Sequence, residues 1–334
     1  MAAPLLEVEN LSVAFRGHGP EKQVLDDVVF AVQPGEIFGI VGESGSGKSV
    51  TALAIMRLLG AQGRIVSGSI RLDGADLVRL GEKEMLSVRG GRIGMIFQEP
   101  MTSLNPLLTV GFQVAEVLRT HERLSARDAQ TRVVAMLDRV GIPNAAIRAG
   151  DYPHQLSGGM RQRVMIAMAM ACRPRLLIAD EPTTALDVTI QAQILDLMRA
   201  LRRDEGSAVL LITHDMGVIA RMADRVLVVY AGEVVESAPV AELFAKPAHP
   251  YTRLLLQSVP PVRSRVHRLP MIPGTLPPAG VKMHGCRFAP RCPDALPLCR
   301  SEPPAFEPVA PQRMARCWRA AELLGAPAHA EVSA

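Results

Sequence analysis

A glycine-rich loop at residues 42–49 has the residue types and the spacing of a phosphate-binding site. Its sequence, Gly-Glu-Ser-Gly-Ser-Gly-Lys-Ser, fits the pattern G-x-x-x-x-G-K-[ST] at every fixed position. The glycines let successive backbone N–H groups point into one concave anion site, and the dipole of a following helix adds positive charge. We expect Lys48 to reach the β and γ phosphates of a nucleotide and the Ser49 hydroxyl to ligate Mg²⁺.

Two adjacent carboxylates follow an apolar segment in the second half of the chain. The segment Leu-Leu-Ile-Ala at residues 176–179 is typical of a buried strand, and Asp180 and Glu181 come directly after it. Charges at this end of a strand lie at the ligand-binding edge of an α/β sheet. Asp180 is therefore a candidate Mg²⁺ ligand, and Glu181 is a candidate base that orients or deprotonates an attacking water.

A second short glycine motif, Leu-Ser-Gly-Gly-Met at residues 156–160, precedes a predicted helix. Ser157 is a favourable N-cap residue, and the two glycines allow a ligand to approach the backbone closely. The motif predicts a second anion-binding helix N-terminus, although a plain capped helix explains it equally well when it is taken alone.

The elements that must position these residues alternate between strands and helices. Apolar runs predict strands at residues 5–8, 11–15, 28–32, 37–41, 176–179, 209–213 and 226–230, and helical patterns cover 48–59, 160–172, 190–203 and parts of 110–140. Gly60 is expected to close the first helix. Such alternation predicts an α/β fold whose core is a mainly parallel sheet.

Composition divides the chain near residues 237–239. Of the 26 prolines, 17 lie in residues 239–334, which also hold twelve Lys/Arg against six Asp/Glu and four of the five cysteines. We therefore expect a domain at 1–238, with helical residues at about 100–172, and a small C-terminal domain at 239–334.

The near-neutral charge of residues 1–238 disfavours a nucleic-acid enzyme, which more often carries a basic stripe. The sequence contains no long apolar run that predicts a transmembrane helix, and its first residues do not resemble a secretory signal.

Taken together, the motifs of residues 5–237 resemble those of the ATPase subunits of ABC transporters in type, order and approximate spacing. The resemblance implies a P-loop ABC-type ATPase fold with an N-terminal antiparallel β segment and a helical subdomain. It also implies the following roles: ATP binding by Phe15, Gly42, Ser44, Gly45, Ser46, Gly47, Lys48 and Ser49; Mg²⁺ binding by Ser49, Gln98 and Asp180; catalysis by Glu181, His214 and Gln98; a signature at Ser157, Gly158 and Gly159; and a D-loop, residues 185–187, with Asp187. Met160 stands where the family usually has Gln, and Phe15 where Tyr is commoner.

The resemblance further implies that two such subunits hold two ATP molecules between them. The phosphate loop of one subunit would face the signature residues of the other, which explains why one chain carries two anion-binding motifs. Residues 98–106 would lie beside the surface that docks the membrane subunit.

Residues 239–334 narrow the resemblance to one group of these proteins, the dipeptide/oligopeptide importer ATPases. It contains His-Pro-Tyr at 249–251, Pro-Met-Ile-Pro-Gly at 270–274, and the cysteines Cys286, Cys292, Cys299 and Cys317. Four thiolates can hold a [4Fe–4S] cluster, and the wide spacing favours it over zinc, which usually has paired C-x₂₋₄-C ligands. Zinc, and no metal at all, remain alternatives. Arg287, Arg291, Arg300 and Arg316 surround the cysteines and would offset the charge of a cluster.

The sequence thus predicts the ATP-hydrolysing subunit of a peptide importer, attached peripherally to the cytoplasmic face of the membrane. Its expected partners are two permease subunits, a second and homologous ATPase, and an extracytoplasmic peptide-binding protein, with no nucleic acid. Another cargo, such as nickel, glutathione or an antibiotic peptide, is the main alternative. A DNA-repair ATPase of the same superfamily would need a long coiled-coil insertion, whereas only 107 residues separate Lys48 from Leu156. A metal-binding regulator with an idle ATPase is disfavoured by Glu181 and His214.

Overall fold

The structure of the protein is a computed structural model that describes residues 3–17, 19–99, 103–184, 187–259, 271–281 and 283–325. Its strands are β1 (Leu6–Phe15), β2 (Lys22–Val32), β3 (Ile37–Val41), β4 (Gly63–Leu72), β5 (Ala75–Asp76), β6 (Ile93–Ile96), β7 (Leu176–Asp180), β8 (Ala208–Thr213), β9 (Arg225–Tyr230), β10 (Glu233–Pro239), β11 (Glu307–Ala310) and β12 (Arg313–Ala315). Its helices are α1 (Lys48–Ile55), α2 (Glu82–Val88), α3 (Val110–Glu122), α4 (Ala126–Arg139), α5 (Ala145–Arg148), α6 (Gly158–Met170), α7 (Val188–Glu205), α8 (Met216–Met222), α9 (Val240–Ala245), α10 (Pro250–Gln257), α11 (Leu298–Ser301) and α12 (Ala320–Leu323). Short 3₁₀ turns lie at Pro153–Gln155 and Ala289–Arg291.

Backbone contacts divide the chain into two compact units. Unit 1 comprises Met1–Leu5, Val32–Glu36 and Leu72–Ile212, and unit 2 comprises Leu6–Ala31, Ile37–Arg71 and Thr213–Ala334. The predicted domains at 1–238 and 239–334 remain a prediction, since β10 runs through the expected boundary and residues on both sides of it belong to unit 2.

Unit 1 contains three neighbouring parallel strands, β6, β7 and β8. Every residue of these strands is buried, as expected where both faces of a parallel sheet are covered. Helix α6 packs on β6, and α3 and α4 pack on α6. This arrangement brings the carboxyl ends of β6 and β7 to the same edge, where their following residues meet.

Unit 2 carries the phosphate loop between β3 and α1. Strand β3 is entirely buried and pairs in parallel with β9, and β10 pairs antiparallel with β9. In the separate N-terminal sheet, β1 lies between β2 and β4. The C-terminal residues extend the β9–β10 pair, because β12 pairs antiparallel with β10 and β11 with β12.

An aromatic cluster packs the C-terminal residues of unit 2 against its strands. The rings of Tyr230, Tyr251 and Phe288 are fully buried, and their centroids lie 4.7 to 5.3 Å apart in edge-on or tilted contacts. Such contacts stabilise a core beyond the area that they bury. The Pro-rich residues therefore share the hydrophobic core of β9 and β10.

The α/β prediction with mainly parallel central strands is confirmed, and most predicted elements differ only at their ends. The predicted end of the first helix is wrong: α1 ends at Ile55, because Arg57 takes a left-handed conformation with φ +52°. Gly60 lies beyond the turn that follows the helix and does not cap it. The two strands predicted at 5–8 and 11–15 form one strand, β1, which continues through Asn10 at φ +47°.

Candidate functional site

The phosphate loop has a backbone that only glycine can provide at two of its positions. A Cβ atom at Gly42 would lie 2.2 Å from the carbonyl oxygen of Val229. Gly47, the N-cap of α1, has φ +106°, and a Cβ there would lie 2.6 Å from a methyl carbon of Leu25. The loop is thus a close-packed turn that leads into a helix N-terminus, which is the geometry that an anion-binding loop requires.

Lys48 folds back over this loop. Its side chain is buried, and its ammonium donates to the carbonyl oxygens of Gly42 at 2.9 Å and Glu43 at 3.1 Å. The fully buried Ser46 has a hydroxyl with no hydrogen-bond partner among the described residues. Its carbonyl oxygen accepts from the N–H of Gly232 at 2.9 Å, which ties the loop to the β9–β10 turn. Ser44 and Gly45 are exposed and Ser49 is half-buried, so these residues remain accessible to a nucleotide.

Glu43, which was not among the predicted site residues, connects the phosphate loop to the C-terminal residues. Its carboxylate pairs with both terminal nitrogens of Arg291 at 2.8 and 2.9 Å, and its N–H donates to the Tyr251 hydroxyl at 2.9 Å. The hydrogen bonds to Glu43 hold the pKa of the Arg291 guanidinium above its usual range. A carboxylate inside an anion-binding loop was the available signal, because such a charge needs a cation nearby.

In unit 1, Gln98 and Glu181 meet at the carboxyl ends of β6 and β7. The Gln98 side-chain amide donates to the Glu181 carboxylate at 3.1 Å, and the Thr184 hydroxyl donates to the same oxygen at 2.9 Å. Glu181 has φ +46°, a strained value for a residue other than glycine, and its N–H donates to the carbonyl oxygen of Ile212. Asp180 and Glu181 are both buried. The carboxylate of Glu181 is therefore held in one orientation, and the supporting role of Thr184 was not predicted.

Two further motifs of unit 1 cap helices. Ser157 is the N-cap of α6, as predicted, and its hydroxyl accepts from the N–H of Met160 at 3.3 Å. Gly158 has open space where a Cβ would be, and Gly159 faces Ile190. Asp187 is the N-cap of α7 and accepts from the N–H of Ile190 at 3.0 Å. The other D-loop residues, 185 and 186, lie outside the described residues, as do residues 100–102 of the stretch expected to dock the membrane subunit.

The remaining predicted nucleotide residues belong to unit 2. His214 follows β8 and is exposed, and the next residue, Asp215, caps α8 by accepting from the N–H of Gly217. Phe15 ends β1 with a half-exposed ring that lies against Gly63, where a Cβ would approach the ring to 2.7 Å. Within unit 1 the structure thus brings Gln98 into hydrogen-bond contact with Glu181. Within unit 2 it folds the Lys48 side chain over the phosphate loop.

The four C-terminal cysteines line one cavity in unit 2, together with His249 and Asp294. All four cysteines are free thiols. Burial raises the pKa of Cys286 to about 11 and that of Cys317 to about 12, and it also raises the pKa of Cys292. Among the residues that the structure describes, no three His, Cys, Asp or Glu side chains converge closely enough to hold a metal ion.

The arginines beside the cysteines have partners other than those expected. We predicted that they would offset the charge of a cluster, but Arg287 pairs with Asp26 and Glu233, and Arg291 pairs with Glu43. Arg316 lies 3.6 Å from Asp27. These three guanidinium groups are therefore engaged by carboxylates elsewhere in unit 2.

No helix within the described ranges is both long and apolar enough to cross a membrane.

Comparisons with known families match two successive parts of the chain. The family described as "ABC transporter" matches residues 25–184, and the family described as "Oligopeptide/dipeptide transporter, C-terminal region" matches residues 235–299. A protein of Sinorhizobium fredii, described as a probable peptide ABC transporter ATP-binding protein, is 52% identical over 322 residues, which cover 96% of each chain.

Solved structures resemble the chain over most of its length. A dimeric ATP-binding cassette in a post-hydrolysis state, bound to ADP and Pi, superposes with a TM-score of 0.64 at 30% identity over 70% of this chain and 98% of that one. A component of the cbiONQ ABC transporter complex of Clostridium perfringens has a TM-score of 0.62 at 27% identity over 73% of this chain and 92% of that one.

Proposed function

The chain belongs to the family of ABC transporter ATP-binding proteins, and from this premise we propose that it hydrolyses ATP to drive the import of dipeptides or oligopeptides. One observation carries the proposal: a single chain matches the ABC cassette over residues 25–184 and the peptide-transporter C-terminal region over residues 235–299. The relative from Sinorhizobium fredii, whose match covers 96% of each chain and which has a peptide-transport description, supports the choice of cargo.

The phosphate loop supplies the nucleotide-binding part of this function. Backbone N–H groups of residues 42–49 would donate to the phosphates, and Lys48 would place its charge on the β and γ phosphates. The ammonium needs little rearrangement, since it already lies over the loop within 3.1 Å of two carbonyl oxygens. Gly45 and Ser44 leave the rim of the loop accessible. Phe15 would stack on the adenine ring.

Glu181 is the proposed general base. Its carboxylate would accept a proton from the attacking water, while Gln98 and Thr184 fix its orientation through the bonds at 3.1 and 2.9 Å. Ser49, Asp180 and Gln98 supply the oxygen donors that Mg²⁺ prefers, and the ion would neutralise charge on the phosphates. His214 would contact the γ-phosphate.

We further propose that catalysis requires two ATPase subunits. Ser157, Gly158 and Gly159 would bind the nucleotide held by the partner's phosphate loop, and Asp187 would lie in the D-loop beside it. The open space at Gly158 leaves the N-terminus of α6 accessible to a phosphate. The partner would be a second, homologous ATPase.

The same proposal places the chain peripherally at the cytoplasmic face of the membrane, bound to two permease subunits. An extracytoplasmic peptide-binding protein would deliver the cargo to the permeases. Residues 98–106 would belong to the surface that contacts the permease, and the exposed side chains of Leu107 and Phe112 lie directly beyond this stretch.

For the cysteine cavity we propose a [4Fe–4S] cluster held by Cys286, Cys292, Cys299 and Cys317, with zinc as the alternative. Four free thiols lining one cavity fit this donor set. Their spacing in the sequence favours the cluster over zinc, which usually has paired C-x₂₋₄-C ligands. The cluster would cross-link four positions of the Pro-rich residues, which is a structural role.

Uptake by the reconstituted complex tests the proposed cargo. The full chain, its partner ATPase and both permeases are placed in proteoliposomes that contain ATP, and the peptide-binding protein is supplied outside. We expect labelled dipeptides or oligopeptides to accumulate, whereas labelled nickel and glutathione do not. Uptake of nickel or glutathione without uptake of peptide would overturn the peptide assignment and leave the ATPase assignment in place.

A further inference from the structure

Glu43 places a negative charge inside a loop that is built to bind a multiply charged anion. The neighbouring positions of the loop offer backbone N–H groups and the ammonium of Lys48. A carboxylate without a counter-charge at this position would repel the phosphates of ATP and weaken their binding. A phosphate-binding loop that contains Glu43 therefore needs a cation from another part of the molecule to neutralise the carboxylate.

Arg291 supplies that neutralisation from the C-terminal residues. Its side chain is 5% exposed and makes two parallel bonds to the Glu43 carboxylate, at 2.8 and 2.9 Å. Bidentate pairing of this kind is strong and fixes the orientation of both groups. The guanidinium is held on its other sides as well: its Nε donates to the carbonyl oxygen of Pro273 at 2.7 Å, and it lies over the ring of Tyr230.

All the polar groups of Glu43 have partners that fix the loop. The carboxylate binds Arg291, the N–H donates to the hydroxyl of Tyr251 at 2.9 Å, and the carbonyl oxygen accepts from Lys48 at 3.1 Å. Two of these three partners lie more than 200 residues away in the sequence. The C-terminal residues thus hold the phosphate loop at Glu43 from two positions, Tyr251 and Arg291.

We propose that Arg291 is a positioning residue for the phosphate loop, and that through it the C-terminal residues set the affinity of the chain for ATP. Arg291 acts by cancelling the charge of Glu43, so that the carboxylate does not repel the bound phosphates. The inference rests on the proposed function in one respect, namely that the loop binds ATP.

A role of Arg291 in cancelling the charge of Glu43 and a role in packing predict different ATP affinities for the double variant. A double-mutant cycle therefore separates the two roles. R291M removes the cation and leaves Glu43 unpaired, so we expect the affinity of the full chain for ATP to fall about tenfold, within the range of about 5- to 150-fold that couples two sites. E43Q/R291M removes both charges, and the affinity should return to within about threefold of the wild-type value. R291K keeps a charge but not the bidentate geometry, and it should show an intermediate loss.

Arg313 provides the matched control. It is as buried as Arg291 and lies in the same unit. Its partners are the fully buried Glu236, Glu242 and the carbonyl oxygen of Lys246, none of which belongs to the phosphate loop. R313M should lower the melting temperature at least as much as R291M while changing the affinity for ATP less than twofold.

In the assembled complex, R291M should raise the KM for ATP much more than it lowers kcat.

Equilibrium titration of each variant with ATP measures these affinities and tests the inference. Wild-type affinity in R291M, or an E43Q/R291M variant that binds as weakly as R291M alone, would overturn the inference; the second result would leave Arg291 a purely structural residue. An equal loss of affinity in R313M would also overturn it. Failure of the wild-type chain itself to bind ATP would overturn the proposed function and this inference with it, whereas normal binding by R291M would overturn only the inference.

Discussion

Replacing Tyr251 by Phe should loosen the phosphate loop without disturbing the core beneath it. The hydroxyl of Tyr251 accepts from the N–H of Glu43 at 2.9 Å, and the whole side chain is buried. Phenylalanine keeps the ring in its contacts with Tyr230 and Phe288, at 4.7 and 5.3 Å between centroids. The variant therefore removes one hydrogen bond and leaves a partly buried N–H without that acceptor.

The cost of this change follows from the energetics of unpaired polar groups. Leaving a buried donor unsatisfied costs about 1–3 kcal/mol, and since Glu43 is partly exposed we expect about 1–2 kcal/mol at the loop. That free energy corresponds to an increase of about 5- to 30-fold in the opening of the Glu43 amide. Tyr251→Ala should cost more, about 3–5 kcal/mol, because it also removes the ring from the core.

Amide hydrogen–deuterium exchange of peptides that cover residues 42–49 measures this opening directly. Tyr230→Phe is the control: Tyr230 belongs to the same aromatic cluster, but its hydroxyl accepts from Arg291 at 3.3 Å, whereas the Glu43 N–H donates to Tyr251. The control should leave the protection of the Glu43 amide within about twofold of the wild type. If Tyr251→Phe left that protection unchanged, the hydrogen bond would not stabilise the loop and the reasoning would be refuted.

Further predictions concern the nucleotide site and the cysteines. Lys48→Ala should weaken equilibrium ATP binding, because it deletes the charge facing the phosphates, and unchanged affinity would count against that assignment. Ser157→Arg should block hydrolysis in the assembled pair but spare ATP binding by the single subunit; loss of binding by that subunit would contradict action on the partner's nucleotide. Anaerobically purified protein should be brown and contain about four irons per chain, and Cys292→Ser should expose the C-terminal residues to protease while ATP still binds. Stoichiometric zinc without iron would refute the cluster, and an unchanged proteolysis pattern would refute its structural role.

The sequence predicts those parts of the fold and the site in which neighbouring residues determine the structure. The phosphate loop, the strand before it and the N-cap at Ser157 all depend on short patterns of glycine, apolar and capping residues. The position of Gln98 beside Glu181 could be anticipated only through the family resemblance, since the two residues follow different strands and lie 83 positions apart in the sequence.

The contacts of Glu43 could not be predicted because they depend on tertiary packing. Arg291 lies 248 positions away, and the sequence suggested a partner for it in the cysteine centre instead. The strands β11 and β12 were missed for a similar reason: the Pro-rich C-terminal residues have weak strand propensity, and β12 is stabilised by pairing with β10. At Asn10, the break in the apolar pattern suggested two strands where the backbone continues as one.

The central claim is that Glu181 acts as the general base in ATP hydrolysis, and that this hydrolysis powers the import of peptides. The most direct measurement follows phosphate release and uptake of labelled peptide together, in proteoliposomes that carry the assembled complex with either the wild-type chain or Glu181→Gln. The account predicts peptide-dependent phosphate release and uptake for the wild type. For the variant it predicts near-complete loss of both with ATP still bound, because the amide fits the site but cannot accept a proton. Near-normal hydrolysis by the variant, or uptake that continues without hydrolysis, would contradict the account.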